Sequence, residues 1–176
     1  MHRSLARWAI VPLLAAAVIA LDQWTKSLIV KAIPINGMMV PFPALEPYLK
    51  LVHFANTGAA FGILRGQGSL FVAIALVVIV IVSVFARQLP TEYWGVRACL
   101  GLLLGGAISN NLIDRVQLGH VTDFLLLSAP IGGRVYDWPA FNVADSCIVV
   151  GTIGLGLLLL WSDRQKGSVC NCAERR

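Results

Sequence analysis

Two aspartates at the ends of apolar segments are the residues of this chain best suited to carry chemistry. Asp123 lies in the segment 121–124 and Asp145 in 141–146, and neither has a Lys or Arg within five positions. A carboxylate at membrane depth costs about 2.5–3.5 kcal/mol even on the lenient insertion scale, so it usually marks a functional site. Two such carboxylates indicate a pair that shares one proton. The alternative interpretation is that each aspartate caps a helix at the water interface.

An aspartate pair of this kind can hydrolyse peptides. The ionised member takes a proton from water while the protonated member donates to a substrate carbonyl or to a leaving nitrogen. Other chemistries lack their residues, because no serine or cysteine has an obvious base at motif spacing. The histidines His2, His53 and His120 are too scattered for a metal site, and the Cys170 and Cys172 pair has no further ligands. We therefore expect no metal and no other cofactor.

Each of three apolar segments carries a polar pair at helical spacing. Residues three or four apart share one face of a helix, so we predict that these pairs converge at the outer level of the membrane. Asp114 also directly precedes Arg115, and we interpret those two as a structural ion pair rather than as catalysts. The pairs are Asp22 with Lys26, Asn111 with Asp114, and Asn142 with Asp145.

The elements that position these residues are apolar segments long enough to cross a membrane. Of the 176 residues, 57% are hydrophobic and 13% are charged, and the mean hydropathy is +0.76. This composition excludes a soluble domain with an ordinary polar surface. A helix needs about 20 mostly apolar residues to cross the bilayer. We predict one integral-membrane domain over 1–176, with spans near 8–29, 69–88, 94–113 and 142–162.

The first span could instead be a cleavable secretory signal. Arg3 and Arg7 would form its basic region and residues 8–21 its apolar region. Against this interpretation, Asp22 and Lys26 continue the segment at helical spacing. We therefore expect a retained anchor.

The distribution of basic residues predicts the orientation. If the N-terminus is inside, eight of the 14 Lys and Arg residues fall on inner segments and six on outer ones, so both termini are predicted to be cytoplasmic. The net charge of +5 then has a membrane explanation, and no clustered basic face calls for nucleic acid. The tail 163–176 is polar, and we expect it to be cytoplasmic and disordered.

The region 31–68 is the one sizeable portion predicted outside the spans. Residues 48–54 favour a strand, so we predict a small sheet resting on the outer membrane face. It leads into 56–62, where Gly58 would let the backbone approach another group closely. The alternative is that these small residues serve tight helix packing. The second long connection, 114–141, is interpreted as a loop.

Five blocks in fixed order resemble the lipoprotein signal peptidase family, also called signal peptidase II. The resemblance covers nearly the whole chain, and five blocks together are highly specific where one alone is weak. The blocks are DQWTK at 22–26, NTGAAF at 56–61, NLIDR at 111–115, VTDF at 121–124 and WPAFNVADS at 138–146. Two features depart from the family pattern, namely Asn110 in place of a glycine and a longer stretch around 128–134.

The resemblance implies a fold and an activity. The fold is an α-helical membrane protein of four transmembrane helices with a small extracytoplasmic β-cradle, in the bacterial inner membrane with the site at the periplasmic face. The implied substrate is a prolipoprotein whose cysteine carries diacylglycerol, cut just before that cysteine. Membrane lipid and the cyclic peptide inhibitor globomycin are further implied partners, and we expect a monomer.

The resemblance also implies residue roles. Asp123 and Asp145 match the catalytic pair. The residues expected to bind substrate or support the pair are Asp22, Lys26, Asn56, Gly58, Asn111, Asp114, Arg115, Asn142 and Ala144.

Two other classes of protein remain open from the residues alone. A small proton- or cation-coupled transporter could use intramembrane aspartates as a relay, although the carboxylates cluster at one face rather than near the midplane. A purely structural four-helix protein would not need the polar cluster.

Overall fold

The computed structural model describes residues 9–58, 64, 66–90 and 92–173, and only the backbone of 162–173. Its elements are four long helices and one four-stranded sheet. The helices are α1 (Ile10–Ala32), α2 (Gly68–Gln88), α3 (Trp94–Leu118) and α4 (Val143–Ala173). The strands are β1 (Met38–Met39), β2 (Leu49–Asn56), β3 (Val121–Ile131) and β4 (Arg134–Asp137).

Each helix contains a stretch long and apolar enough to cross a membrane, and the most apolar of them, α2, has a hydropathy of 3.1. The helices agree with the predicted architecture of four spans, with different ends. Residue 8, where the first span was expected to begin, lies outside the described residues, and α1 continues to Ala32. Helix α3 passes the predicted end at 113 and reaches Leu118, because its charged residues find partners inside the protein.

The expectation of a disordered tail is wrong over most of its length. The backbone of α4 stays helical to Ala173. The segment contains no proline, so nothing in it removes a donor from the helical hydrogen-bond ladder. Residues 174–176, like the first eight residues, lie outside the described part of the chain.

The sheet is antiparallel in the order β1-β2-β3-β4. Strand β2 was anticipated as 48–54, whereas β3 and β4 come from the segment that was interpreted as a loop, and that interpretation is wrong. The two strands are joined through Gly132 and Gly133, whose φ angles are 58° and 77°. A two-residue turn with positive φ at both positions suits a tight hairpin. The sheet brings residues 49–56 and 121–137 together on one side of the helices.

Helix α3 is the central element because glycines let its neighbours approach its backbone. A Cβ on Gly105 would lie 2.7 Å from the Cβ of Val18 on α1, and a Cβ on Gly106 would lie 2.6 Å from the carbonyl oxygen of Ala144 on α4. Real Cβ atoms essentially never come this close to other atoms. The first turn of α4, which carries Asp145, is therefore held directly against the backbone of α3.

Gly106→Ala should lower the melting temperature in detergent, because the added methyl has no room and overpacking costs about 1–3 kcal/mol. Gly156→Ala on α4 is the matched control, since nothing lies within 4 Å of a Cβ there and alanine favours a helix over glycine. That control should melt at or above the wild-type temperature. Unchanged melting of Gly106→Ala would contradict the close contact between α3 and α4.

Candidate active site

The start of α4 is a reciprocal cap built from Asn142 and Asp145. The backbone N–H of Asp145 donates to Oδ1 of Asn142 at 2.9 Å, and the backbone N–H of Asn142 donates to Oδ2 of Asp145 at 3.1 Å. This is the capping-box arrangement, with aspartate in the place of glutamate. It fixes the Asp145 carboxylate at the positive end of the helix dipole, which favours a negative charge. Asp145 therefore takes part in a helix cap whose first residue is Asn142, whereas Asp123 lies on strand β3.

Asn142 also reaches the second carboxylate. Its Nδ2 donates to Oδ1 of Asp123 at 2.9 Å, and the side chain is fully buried. The other oxygen of Asp123, Oδ2, accepts from Nδ2 of Asn56 on β2 at 2.9 Å. One buried amide therefore contacts both aspartates and sets their relative position.

Asn110 links Asp145 to a buried lysine. Nδ2 of Asn110 donates to Oδ1 of Asp145 at 2.7 Å, and its Oδ1 accepts from Nζ of Lys26 at 2.7 Å. Lys26 is 4% exposed and also pairs with Asp22 at 2.6 Å and with Asp114 at 2.7 Å. A buried cation needs such compensation. This cluster, which we call the lysine clamp (Lys26, Asp22, Asp114 and Asn110), joins α1 to α3 and, through Asp145, to α4.

Asp22 connects the lysine clamp directly to the start of α4. Its side chain is fully buried, Oδ1 accepts the backbone N–H of Ala144 at 2.9 Å, and Oδ2 accepts from Oγ of Ser109 at 2.7 Å. The first N–H groups of a helix have no partner within the helix. A carboxylate of α1 thus satisfies one of them in α4, in the same turn as Asp145.

A π-helical segment, Ile108–Asp114, places Ser109 and Asp114 of α3 on the same side. Ser109 and Asp114 are five residues apart, which is about 1.4 turns of an α-helix and would separate them around its circumference. The wider turn brings both within reach of Gln23, whose Nε2 donates to Ser109 Oγ at 3.0 Å and to Asp114 Oδ1 at 2.7 Å. Such segments are frequent at functional sites. Sequence reasoning missed both Gln23 and Ser109.

The same segment corrects the placement of Asn111. Its Nδ2 donates to the carbonyl of Ala107 at 3.3 Å, and its Oδ1 accepts from Nε of Arg115 at 3.1 Å. Within the described residues it forms no hydrogen bond to either aspartate. Asn110, the residue that departs from the family pattern, is the one that contacts Asp145, because the π-turn changes which side chain of α3 faces α4.

The expected ion pair between Asp114 and Arg115 is wrong. Asp114 pairs with Lys26, and among the described residues it forms no ion pair with Arg115. Arg115 instead donates from Nη2 to the carbonyl of Gly58 at 2.6 Å. The two neighbours in sequence point to different sides of α3, so each meets a different partner.

Gly58 belongs to a turn that supports Asn56. Its N–H donates to Oδ1 of Asn56 at 2.9 Å, which leaves Nδ2 of Asn56 directed at Asp123. Gly58 is buried. The remainder of the expected glycine-rich segment, 59–62, lies outside the described residues.

Asp123 and Asp145 line one cavity of about 980 Å³ between the sheet and α4. Its walls are mostly apolar, with a few polar groups at one place, as is usual for ligand sites. The apolar lining includes Phe54, Trp138, Phe141, Ile148 and Val149. The cavity can therefore hold an extended apolar chain with a polar bond against the two carboxylates.

The environment of Asp123 raises its pKa to about 7. Burial is the largest cause, since it penalises the charged form, and the charge of Asp145 raises the pKa further. The amide donors of Asn56 and Asn142 and the charge of Lys26 act in the opposite direction. Near neutral pH, Asp123 can thus hold or release a proton. Over the described part of the chain, no three His, Cys, Asp or Glu side chains are grouped so that they could hold a metal ion.

The chain is similar in sequence and in fold to known proteins. The family profile described as "Signal peptidase (SPase) II" matches residues 14–161. A "Lipoprotein signal peptidase" of Syntrophotalea carbinolica is 42% identical over 163 residues, which are 90% of this chain and 95% of the relative. One from Geobacillus thermodenitrificans is 40% identical, with 89% and 93% covered. A bacterial membrane enzyme solved by the in meso method at 2.3 Å is similar in structure, with a TM-score of 0.76, 32% identity, and 88% and 89% covered.

The raised pKa of Asp123 predicts a pH-dependent effect of Asp123→Asn on stability. An unfolded aspartate ionises near pH 4, whereas folded Asp123 does so at about 7. The wild type therefore loses stability between these values as pH rises, while the asparagine variant does not. We expect the difference in melting temperature, variant minus wild type, to grow from pH 4.5 to 7.5 and then to level off. An equal difference at all pH values would contradict the raised pKa.

Proposed function

We propose, from the premise that this chain belongs to the signal peptidase II family, that Asp123 and Asp145 are its catalytic pair. Membership makes the chain a multi-pass membrane peptidase that removes signal peptides from prolipoproteins. The transporter alternative has no support in these relationships. What remains to be proposed is which residues act, and how.

The observation that best supports the proposal is that Asn142 donates hydrogen bonds to both carboxylates. Its side chain donates to Asp123, its backbone N–H donates to Asp145, and both acids line the same cavity. Two close carboxylates cannot easily both ionise, so the pair retains one proton at neutral pH. This is the protonation state that an aspartic mechanism requires.

The surroundings of the two acids differ and assign them different roles. Asp145 sits at a helix N-terminus and accepts a backbone N–H there, which favours its carboxylate form, whereas Asp123 lies on a strand and accepts only from side-chain amides. Asp123 is 4% exposed on a strand, with a pKa of about 7, and it is the member that holds the proton. Asp145 is thus the general base and Asp123 the general acid.

The reaction follows from these roles. Asp145 accepts a proton from a water molecule while the water oxygen attacks the scissile carbonyl carbon. Asp123 donates its proton to the carbonyl oxygen, and the product of this step is a tetrahedral diol. When the diol collapses, the C–N bond breaks and Asp145 returns its proton to the leaving nitrogen. Asp123 recovers a proton from the diol hydroxyl. The pair ends in its starting state, so no cofactor is consumed.

The cavity supports a lipid-modified substrate. Its apolar lining along α4, at Ile148, Val149 and Val150, can hold an acyl chain. The substrate is then a prolipoprotein whose cysteine carries diacylglycerol, cut just before that cysteine. Globomycin would occupy the same cavity as a peptide analogue. We also propose that the enzyme acts as a monomer in membrane lipid.

We further propose that both termini face the cytoplasm of a bacterial inner membrane and that the pair faces the periplasm. Four spans bring both ends of the chain to one side. The distribution of basic residues, eight inside and six outside among 14, favours the cytoplasm for that side.

Topology reporters fused after Gln88 and after Gly133 test this orientation. Gln88 ends α2 on the proposed inner side, and Gly133 lies in the outer hairpin. A cytoplasm-active reporter should work at Gln88 and a periplasm-active one at Gly133. Periplasmic activity at Gln88 would reverse the topology and place the pair on the wrong side for its substrate.

Asp123→Asn and Asp145→Asn should each reduce prolipoprotein cleavage to background, because an amide can neither take a proton from water nor share one. The double variant should lose little more cleavage activity than either single variant, since the effects of residues that act as a unit are not additive. Turnover of a diacylated prolipoprotein in detergent is the measurement, with a melting curve for each variant. Asp137→Asn is the control, because Asp137 is an exposed carboxylate on β4 and should remain active. Substantial cleavage by either folded single variant would exclude this aspartic mechanism.

A further inference from the structure

Arg115 is a buried cation whose position the lysine clamp does not explain. It is 9% exposed at the outer end of α3, and the described residues place no carboxylate within ion-pair distance of it. Its guanidinium carbon lies 4.5 Å from the ring centroid of Phe71 on α2, a cation–π contact. Its Nη1 is buried with no hydrogen-bond partner in the described structure.

The two N–H groups of Arg115 that do have partners reach toward the turn at Asn56. Nε donates to Oδ1 of Asn111 at 3.1 Å, which orients the guanidinium along α3. Nη2 donates to the carbonyl of Gly58 at 2.6 Å. Arg115 thus holds the backbone of Gly58 from the side of α3 and α2.

From Gly58 the contacts continue to the acid. The N–H of Gly58 donates to Oδ1 of Asn56 at 2.9 Å. An amide side chain accepts at its oxygen and donates at its nitrogen, so this bond determines which end of Asn56 faces Asp123. The Nδ2 of Asn56 then donates to Oδ2 of Asp123 at 2.9 Å.

We propose that Arg115 is a positioning residue for Asp123, acting through the turn of Gly58 and Asn56. The proposal rests on the proposed catalytic role of Asp123. Asn142 and Asn110 hold the pair from the opposite side by way of the lysine clamp. Asn142 contacts both aspartates, but two further arms are separate. Arg115, Gly58 and Asn56 form an arm to Asp123, and Lys26 with Asn110 forms an arm to Asp145.

This separation gives a double-mutant test. Arg115→Gln and Asn56→Ala should each lower kcat/KM by up to about 100-fold, as a misplaced catalytic group can, with the loss in kcat rather than in KM. Because both act on one arm, the double variant should be no worse than Asn56→Ala alone. Arg115→Gln combined with Asn110→Ala, on the other arm, should instead multiply the two losses.

The pH profile provides a second readout, which a purely structural role would not change. The Asn56 amide lowers the pKa of Asp123 by stabilising the carboxylate. If the Asn56 amide no longer donates to Asp123, the pKa of Asp123 rises. Asp123 then stays protonated to a higher pH. The upper limb of the kcat/KM profile should therefore move to higher pH in Asn56→Ala and also in Arg115→Lys, which keeps the charge that acts directly on Asp123. It should not move in Asn110→Ala.

Arg115→Lys provides for the case in which Arg115→Gln does not fold. Lysine keeps the charge but not the planar fork, so it should fold and yet show the same non-additivity with Asn56→Ala. Additive losses with Asn56→Ala, or an unmoved upper limb in a folded variant, would overturn the positioning role while an inactive Asp123→Asn variant still supports the catalytic pair. An active Asp123→Asn variant would overturn both proposals.

Discussion

The interaction on which the rest of the structure depends is the burial of the Lys26 ammonium between two carboxylates. Removing one partner of a buried ion pair typically costs about 3–5 kcal/mol, because it leaves an uncompensated charge. Here the cation contacts Asp22 on its own helix and Asp114 on α3, and it donates to Asn110 as well. Helices α1 and α3 can therefore pack in only one register and rotation, and glycines on α3 allow the close approach that this requires.

Neutral amide side chains connect the lysine clamp to Asp145 and Asp123 and fix where these two carboxylates lie. Asn110 connects Lys26 to Asp145, and Asn142 connects Asp145 to Asp123. An amide can bridge a cation to a carboxylate without adding charge. In the proposed mechanism, the roles of Asp123 and Asp145 differ because Asp123 lies on a strand and Asp145 at a helix N-terminus.

The sheet completes the site from the other side. Strands β2 and β3 bring Asn56 beside Asp123, and the cavity lies between this sheet and α4. Its lining is mostly apolar, and its polar side chains are Asn36, Asn56, Thr57, Asp123, Asp145 and Ser146. In the proposed function, the lipid part of the substrate would lie along the apolar walls and its peptide bond at Asp123 and Asp145.

Features that depend on local spacing and on composition could be predicted from the sequence. Runs of apolar residues specified four spans, and the three- and four-residue spacings correctly paired Asn142 with Asp145 and Asp22 with Lys26. Only the tertiary structure decided which partners meet across the chain. Asn110 rather than Asn111 faces Asp145, and Asp114 binds Lys26 rather than Arg115, because a π-turn in α3 shifts side chains around its axis. No local pattern reveals such a turn. Strands β3 and β4, half of the sheet, could not be predicted from the sequence either. Strand β3 is recognised as a strand only by its pairing with β2, about 70 residues earlier.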